Sequence, residues 1–276
     1  MTTFGGLLIY LSLICMAAGI ASLLKPLRLV GIRTRMRGLL VAGLGLLAFA
    51  AGVYLPVAET RVATARTRLD ELMPVFQFNE CHTIQISAPK DRVDAAIRTV
   101  TPDEIHFFQT LTWIRRFGRP SPPGILNAPG RRPILETFTA GAFQLLAEDP
   151  GREIVFGRAG DAHGQRKAAE ESKTLQQAPL IKIAMNFRIQ EVDATHCTLT
   201  TETRVYAAGS QVVHGFAAYW RMIYPGSSLI RHEWLRAIKL RAEAPPDSKP
   251  PSGAGQPVIP PIQAQQGRNG WAVGTV

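Results

Sequence analysis

The stretch that decides the fold is IKIAMNFRIQEVDATHCTLTTETRVY, residues 181–206. Apolar and polar side chains alternate over Ile181–Val192, which is the period of a half-buried strand. Pairing this strand with Cys197–Tyr206 across a short turn places Phe187 opposite Thr201. In the same register, Ile189 lies opposite Leu199, Met185 opposite Thr203, and Ile183 opposite Val205. The stretch therefore predicts an antiparallel sheet with one apolar face.

Two further elements are predicted after this hairpin. A tight turn at Ala208-Gly209 predicts one more strand, whose even-numbered side chains between 212 and 220 would join the apolar face. Ser227 or Ser228 then caps a helix that runs to about Ala244. Along the apolar side of this helix lie Ile230, Trp234, Ala237, Ile238 and Arg241. Because no other long amphipathic element remains, we expect this helix to cover the sheet.

The other face of the predicted sheet is charged. It carries Arg188, Glu202, Arg204 and Arg221, which we expect to form an exposed ladder of cross-strand ion pairs. A register slip of one residue would invert the two faces and bury Glu202 with Arg204 instead.

The segments before residue 181 complete an α+β pattern. Alternation predicts a strand over His82–Ala88 and a helix that opens at Pro89. Thr101-Pro102-Asp103-Glu104 predicts the start of another helix, because Thr and Glu at this spacing form a capping box. A turn at Asp149-Pro150-Gly151 joins two strands, at 143–148 and 152–158. Three segments are expected to lack regular structure: the Pro-rich loop 118–133, the polar loop 161–179 and a disordered tail at 245–276.

Two apolar runs precede the soluble part of the chain. Phe4–Leu24 and Gly38–Ala58 each span 21 residues without a charged side chain, enough to cross a hydrocarbon core as a helix. A cleaved signal peptide is the rival interpretation of the first run, but no basic segment precedes it. The sequence therefore predicts a transmembrane helical hairpin over residues 1–58. A connector follows at 59–81, helical over Glu59–Met73, and then a soluble domain at 82–244.

The basic charge of the chain is concentrated between the two runs. The chain has 31 Lys and Arg residues against 21 Asp and Glu, a balance that alone would suggest a nucleic-acid partner. Five of the basic residues lie in the loop 25–37, which has no acidic residue: Lys25, Arg28, Arg33, Arg35 and Arg37. Short basic loops stay on the cytoplasmic side, so we expect the soluble domain to be extracytoplasmic. This predicts a multi-pass protein of the cell (inner) membrane with a periplasmic domain and no nucleic-acid partner.

The order of these segments resembles a known superfamily. The residues that carry the resemblance are HTIQISAPKDRVDAAI (82–97), DPGREIVFG (149–157), TLTTETRV (198–205) and FAAYWRMIYPGSSLIRHEWLRAIKLRAE (216–243). Together they resemble the START-like, helix-grip superfamily, which includes polyketide cyclase/dehydrase-type and lipid-transfer proteins. The resemblance implies a curved sheet that wraps the C-terminal helix and leaves a cavity for an apolar molecule. It also implies that the 212–220 strand separates the first strand from the strand at 197–206.

The resemblance and the strand alternation together name the residues that would line this cavity. From the sheet they are Met185, Phe187, Leu199, Thr201, Thr203, His214, Phe216 and Trp220, and from the helix Ile230, Trp234 and Ile238. Aromatic side chains with a few hydroxyls and one imidazole are typical of a site for an apolar ligand. A closed, filled core is the alternative, since any helix packed on a sheet buries such a face.

Catalytic and metal-binding patterns are weak. The chain has no phosphate-binding loop, nucleophile elbow or dinucleotide fingerprint, and its six histidines lack ligand spacing, so neither a metal nor a cofactor is predicted. His214 with Thr201 or Thr203 would suit proton transfer, although a single histidine among apolar residues is more typical of a core. The function expected is membrane-anchored, non-enzymatic binding or transfer of a hydrophobic, lipid-like molecule. The alternatives are a cyclase/dehydrase-type enzyme with an apolar substrate, and an interaction domain without a cavity.

Overall fold

The computed structural model describes residues 2–25, 32–116, 118–119, 127–128, 130–141, 143–160 and 181–245. The expectations for the polar loop 161–179, for the tail and for most of the Pro-rich loop lie outside these residues. The chain divides into two compact units. One comprises Met1–Glu59 with Ala208–Pro225, and the other comprises Thr60–Ala207 with the chain from Gly226 onward.

The described residues form seven α-helices, seven strands and a short 3-10 helix at Pro102–Glu104. The helices are α1 (Thr2–Leu24), α2 (Arg35–Tyr54), α3 (Arg68–Leu72), α4 (Lys90–Thr99), α5 (Phe108–Arg115), α6 (Ile134–Ala140) and α7 (Ser210–Glu243). The strands are β1 (Thr60–Arg61), β2 (Val75–Phe76), β3 (Phe78–Ile86), β4 (Gln144–Asp149), β5 (Glu153–Gly160), β6 (Ile181–Asp193) and β7 (His196–Ala207).

Strands β3 to β7 form one antiparallel sheet in the order β3-β7-β6-β5-β4. Its central hairpin has the predicted register, with Phe187 opposite Thr201 and the three other predicted pairs in place. The β4–β5 hairpin is also confirmed, and Gly151 supplies the positive φ of 67° that its turn requires. The sheet, packed against the second half of α7, is a helix-grip arrangement, and the α+β fold class is confirmed.

The strand expected at 212–220 is wrong, because this segment is the first part of α7. Val213, Ala217 and Trp220 recur at spacings of four and three residues, so the apolar pattern also has a helical period. The helix begins directly after Gly209, which turns the chain with a φ of 86°. The turn was therefore predicted correctly and the element after it was not.

Two consequences follow for neighbouring elements. Ser227 and Ser228 lie inside α7 and do not cap it, so the helix begins 17 residues before Ser227. Because the segment after the turn does not enter the sheet, β3 pairs directly with β7, with Ile84 opposite Leu199. The strand order implied by the resemblance is corrected accordingly.

The apolar face of the sheet, which we call the gripped face, packs against α4, α6 and the second half of α7. The core between them contains Phe156, Met185 and Phe187 from the strands. The α7 side chains Trp234, Leu235 and Ile238 pack in the same core. This core contains several of the residues that were predicted to line the cavity.

The opposite face is covered by residues 60–76, and the expected exposed ladder is wrong. Arg204 is buried there, although the register did not slip. Its guanidinium donates to Asp70 Oδ1 at 2.7 Å, to Glu202 Oε1 at 2.8 Å and to the Met73 carbonyl at 3.1 Å. The predicted helical connector is thus mostly a non-helical cover, with α3 as its one helical turn.

One buried carboxylate fastens this cover to the sheet. Glu153 accepts hydrogen bonds from the backbone N–H of Arg68 at 2.8 Å and of Leu69 at 3.3 Å, at the start of α3. It also accepts one from Asn186 Nδ2 at 2.6 Å, on the neighbouring strand. A small second core of Leu69, Met73, Phe76, Val155 and Ala184 lies beneath the cover.

Two smaller elements also differ from expectation. The capping box at Thr101 is present, with the Thr101 N–H donating to Glu104 at 2.8 Å, but it starts only a 3-10 turn. The following helix, α5, begins at Phe108 after Phe107, whose φ of 60° interrupts the helical path. Helix α6 was not predicted, because it directly follows the Pro-rich loop.

In the other unit, α1 and α2 form a helical hairpin, and the two helices contact each other at glycine residues. Gly38, Gly45 and Gly52 are buried on α2 at intervals of seven residues. A Cβ added at Gly19 of α1 would lie 2.6 Å from the backbone nitrogen of Ala42. Close backbone approach at small residues is the usual way in which membrane helices pack.

Both helices are long and apolar enough to span a membrane. Their large side chains are mostly exposed, as Ile14 and Leu47 illustrate at 65% and 69%. The second helix is Arg35–Tyr54, with Thr34 as N-cap, so it begins three residues before the predicted span Gly38–Ala58, within the basic loop, and ends four residues before that span ends. Arg221 of α7, expected on the charged ladder, instead donates to backbone carbonyls at the end of α2.

Candidate functional site

Most of the predicted cavity residues lie together on the gripped face. Met185, Phe187, Leu199, Trp234 and Ile238 are at most 2% exposed and belong to one core. Thr201 and Thr203 are buried on β7, on the same side of the strand as Leu199, and Ile230 is half-buried against the core. The Thr201 hydroxyl donates to the Asn186 carbonyl at 2.8 Å.

Three predicted residues lie elsewhere. His214, Phe216 and Trp220 are on the first half of α7, in the unit that contains the hairpin. His214 is exposed, and its Nδ1 lies 2.6 Å from the Ser210 carbonyl one turn earlier. Phe216 stacks on Trp220 with ring centroids 5.9 Å apart. His214 therefore does not share a strand with Thr201 or Thr203.

Aromatic rings pack closely at one end of the gripped face. The Trp234 ring lies 5.0 Å from that of Phe187, edge to face, and 5.6 Å from that of Phe138. Phe138 in turn lies 5.1 Å from Phe143. These contacts are typical of a well-packed core. At this end the face is an apolar wall.

The other end of the gripped face is polar, which the sequence did not predict. Glu80 and His82 alternate on β3 with exposed residues, so both side chains point to the gripped face. Glu80 is only 3% exposed, and its Oε1 lies 2.9 Å from His82 Nε2. Its Oε2 accepts a hydrogen bond from Ser227 Oγ on α7 at 2.8 Å. Both carboxylate oxygens are therefore engaged.

The contacts of the His82 ring exclude one kind of catalytic arrangement. Ser228 Oγ lies 3.4 Å from His82 Nε2, the nitrogen that also contacts Glu80. The carboxylate and the serine hydroxyl therefore approach the same ring nitrogen. A nucleophilic serine requires the acid and the serine on opposite ring nitrogens. This arrangement is therefore not a serine-hydrolase triad.

Arg231 is the most unusual group of the site. Its Nη1 contacts the sulfur of Met185, and its Cζ lies over the Trp234 ring, 5.6 Å from the centroid. Within the described part of the chain, no carboxylate lies within ion-pair distance of this guanidinium. Desolvation lowers the pKa of Arg231 to about 10, the charge of Glu80 opposes this shift, and the charge of Arg115 adds to it.

Two further polar atoms near this core lack hydrogen-bond partners within the described residues. They are Nε1 of Trp234 and Oγ1 of Thr137, both buried. Thr137 lies on α6 next to Phe138, whose ring contacts Trp234. Buried polar groups without partners are rare in proteins and need an explanation, such as a bound molecule.

The sequence contained a usable signal for this polar end. Ser227, Arg231, Trp234 and Ile238 are spaced four, three and four residues apart, so they share one helix face. A serine and an arginine on the face that covers a sheet are unexpected in a simple core. Glu80 was missed because it had been assigned to the connector before the first strand.

No family model and no curated protein matches the chain. Among solved structures, it is similar to a conserved protein from Geobacillus kaustophilus, with 10% identity and a TM-score of 0.32 over 60% of this chain and 95% of that one. It is also similar to the Zhui aromatase/cyclase from Streptomyces sp. R1128, with 17% identity and a TM-score of 0.25 over 60% and 96%. A third is the di-domain aromatase/cyclase BexL from the BE-7585A biosynthetic pathway, with 14% identity and a TM-score of 0.29 over 74% and 58%. At these values the fold class rests on the chain's own strand order and register.

Proposed function

We propose that the protein is a membrane-anchored binding or transfer protein for a hydrophobic, lipid-like molecule held on the gripped face. The observation that carries this proposal is the division of that face into an aromatic wall and a polar end, which holds the buried Glu80 and the half-buried Arg231. Apolar walls with a few convergent polar groups are the usual composition of a site for an apolar ligand. A charged group on an apolar face is unfavourable unless a partner of opposite charge or several hydrogen bonds compensate it.

The hairpin supports the membrane part of the proposal. Its two helices expose large apolar side chains, such as Leu44 at 66%, which water solvates poorly and a bilayer solvates well. A domain tethered in this way stays within a chain's length of the bilayer, where lipid-like molecules are concentrated. The basic residues beside α2 give the proposed orientation, with the loop in the cytoplasm and the domain outside.

Mass spectrometry on protein purified in its native lipids tests this function. The wild-type chain is extracted into lipid nanodiscs, and bound molecules are compared with those in empty nanodiscs from the same membranes. We expect one apolar class to be enriched with the protein. The variant Thr203→Phe adds a ring on the gripped face and should release it, whereas Thr200→Phe, on the opposite side of the same strand, should retain it.

The absence of any enriched molecule in the wild-type chain would contradict the proposal and favour an interaction domain. If Thr203→Phe and Thr200→Phe both retained the molecule, its location on the gripped face would be wrong. Far-ultraviolet circular dichroism of both variants shows that they are folded before the bound material is compared.

A second candidate is an enzyme of the cyclase/dehydrase type, and Glu80 with His82 is the observation in its favour. A buried carboxylate 2.9 Å from an imidazole is a suitable acid/base pair beside an apolar substrate. The same nanodisc experiment with His82→Gln separates the two functions. A binding protein would hold the same molecule in both chains. An enzyme would hold product in the wild-type chain and unreacted substrate in the variant.

A further inference from the structure

We propose that Arg231 anchors an anionic head group, so that the ligand is a long-chain amphiphile carrying a carboxylate or a phosphate. This inference rests on the proposed function and names the ligand class of the same site. The juxtaposition that carries it is a guanidinium placed between a thioether and an indole ring on the gripped face.

The first step concerns hydrogen-bond donors. A guanidinium has five N–H donors and no acceptor. Within the described residues, the one acceptor in contact with Arg231 is the sulfur of Met185, and a thioether is a weak acceptor. The Trp234 indole N–H, on the ring that the guanidinium covers, is also buried without a partner. The site is therefore rich in donors and poor in acceptors.

The second step concerns charge. The nearest carboxylate that acts on Arg231 is Glu80, whose two oxygens are already engaged by His82 and Ser227. Arg115, at the end of α5, adds a second positive charge that also acts on Arg231. Because both Glu80 oxygens are engaged by other side chains, none of the described carboxylates pairs directly with the charge of Arg231. A ligand that accepts hydrogen bonds and carries negative charge would balance it.

The third step concerns the apolar part of the ligand. Arg231 is bordered by Met185 and Trp234, and beyond them the face is lined by aromatic rings. A small inorganic anion at Arg231 would make no use of this neighbouring apolar wall. An amphiphile places its chain on the wall and its head at the guanidinium, and therefore matches both ends of the face.

Photo-crosslinking with matched probes tests the inference. The full-length protein in nanodiscs of neutral phosphatidylcholine is exposed to three diazirine-bearing hexadecyl probes, which end in a carboxylate, a phosphate monoester or an alcohol. Crosslinks are mapped by mass spectrometry to peptides that contain β6 or the second half of α7. We expect at least one anionic probe to label these peptides about ten-fold more than the alcohol, as a charge-assisted hydrogen bond would provide.

The variants separate this role from general effects of charge. Arg231→Met should remove the preference for the anionic probe. Arg236→Gln is the matched control, because that arginine is on the same helix with a side chain 57% exposed, and it should keep the preference. Labelling by the carboxylate alone would assign a fatty-acid-like head, and labelling by the phosphate alone a phosphomonoester head. Either result supports the inference.

Equal labelling by all three probes in the wild-type chain would overturn the anionic head and leave the proposed function standing. No labelling of these peptides by any probe would overturn the proposed function itself. Both readings come from the wild-type chain, so they hold even if Arg231→Met fails to fold. A preference that survives in a folded Arg231→Met variant would also overturn the role of Arg231.

Discussion

The guanidinium of Arg221 donates a hydrogen bond to the backbone carbonyl of Leu55 at 2.8 Å, directly after the last turn of α2. Its other terminal nitrogen donates to the carbonyls of Gly52 and Val53, both at 3.0 Å. The last carbonyls of a helix have no partner within the helix, and a positive charge there is favourable. A residue more than 160 positions later in the chain thus caps the second apolar helix.

Replacing Arg221 by Met should destabilise the full-length protein by about 1–3 kcal/mol, because three carbonyls lose their donor. Thermal unfolding in detergent, followed by tryptophan fluorescence, measures this loss. Arg236→Met removes an arginine of the same helix that is largely exposed, and it should change the midpoint little. Equal shifts in the two variants would show that Arg221 does not act as a cap.

The glycine contacts of the hairpin predict opposite effects for two similar substitutions. Gly19→Ala places a methyl group 2.6 Å from the Ala42 nitrogen, so the helices must separate and the hairpin should lose stability. Gly43→Ala meets nothing within 4 Å and should be neutral or stabilising by up to about 1 kcal/mol, since Ala favours helix. Unfolding of the two variants in mixed micelles gives the comparison. A loss for Gly43→Ala equal to that for Gly19→Ala would contradict the helix packing.

Asp70 predicts how stability depends on pH. Burial raises the pKa of this carboxyl, but hydrogen bonds from the Arg66 N–H, Arg204 and Thr67 outweigh it, and the pKa is lowered overall. The Asp70 carboxylate therefore stabilises the folded chain fully above its pKa in the unfolded chain, about 3.9. This stabilisation is lost as the pH falls through the lower pKa that the carboxyl has in the folded chain. Asp70→Asn should cost about 1–3 kcal/mol at pH 7, because the buried Arg204 loses one of its two carboxylate partners and keeps Glu202.

The difference in the free energy of unfolding between wild type and Asp70→Asn should narrow as the pH falls below about 4. At that pH the wild-type carboxyl becomes neutral as well. Chemical unfolding of the full-length protein across this pH range measures the gap. Asp91→Asn, at an exposed position of α4, serves as the matched control. A gap that stays constant at all pH values would mean that the charge of Asp70 is not what stabilises the cover.

The basic residues beside α2 predict membrane orientation. In a chain without native cysteines, a cysteine at Val192, which is 64% exposed in the soluble part, should react with a membrane-impermeant maleimide from outside intact cells. Replacing Arg33, Arg35 and Arg37 by Gln should mix the two orientations, because the positive charges that retain the loop are removed. Protection of Val192→Cys in the otherwise unchanged chain would reverse the proposed topology.

The register of the β6–β7 hairpin could be predicted because one of its faces is apolar and the side-chain period of a strand is two. Under that condition a single register satisfies every pair from Ile183 to Ile189. The apolar helices were equally clear, since length and absence of charge identify them without any tertiary contact. The bounds of α2 were the weaker part, because arginines in its first turn were counted with the loop.

The remaining elements depended on contacts that alternation does not encode. The apolar pattern in the first half of α7 fits both a strand and a helix, and only the packing of the segment decides between them. Arg204 looked exposed because its cover, residues 60–76, has no strong pattern of its own and is held by a distant carboxylate, Glu153. Glu80 and Arg231 are charged residues on a buried face, where a sequence pattern predicts apolar ones.

The pairing of β3 with β7 has a consequence for how the chain is made. Gln77, at the start of β3, exchanges two hydrogen bonds with Ala207, a residue 130 positions later. During synthesis the two apolar helices and β3 emerge first, and the edge of β3 stays without a partner until β7 has left the ribosome. Unpaired strand edges promote association with other chains. The interval between the synthesis of β3 and that of β7 is therefore when the edge of β3 is open to pairing with other chains.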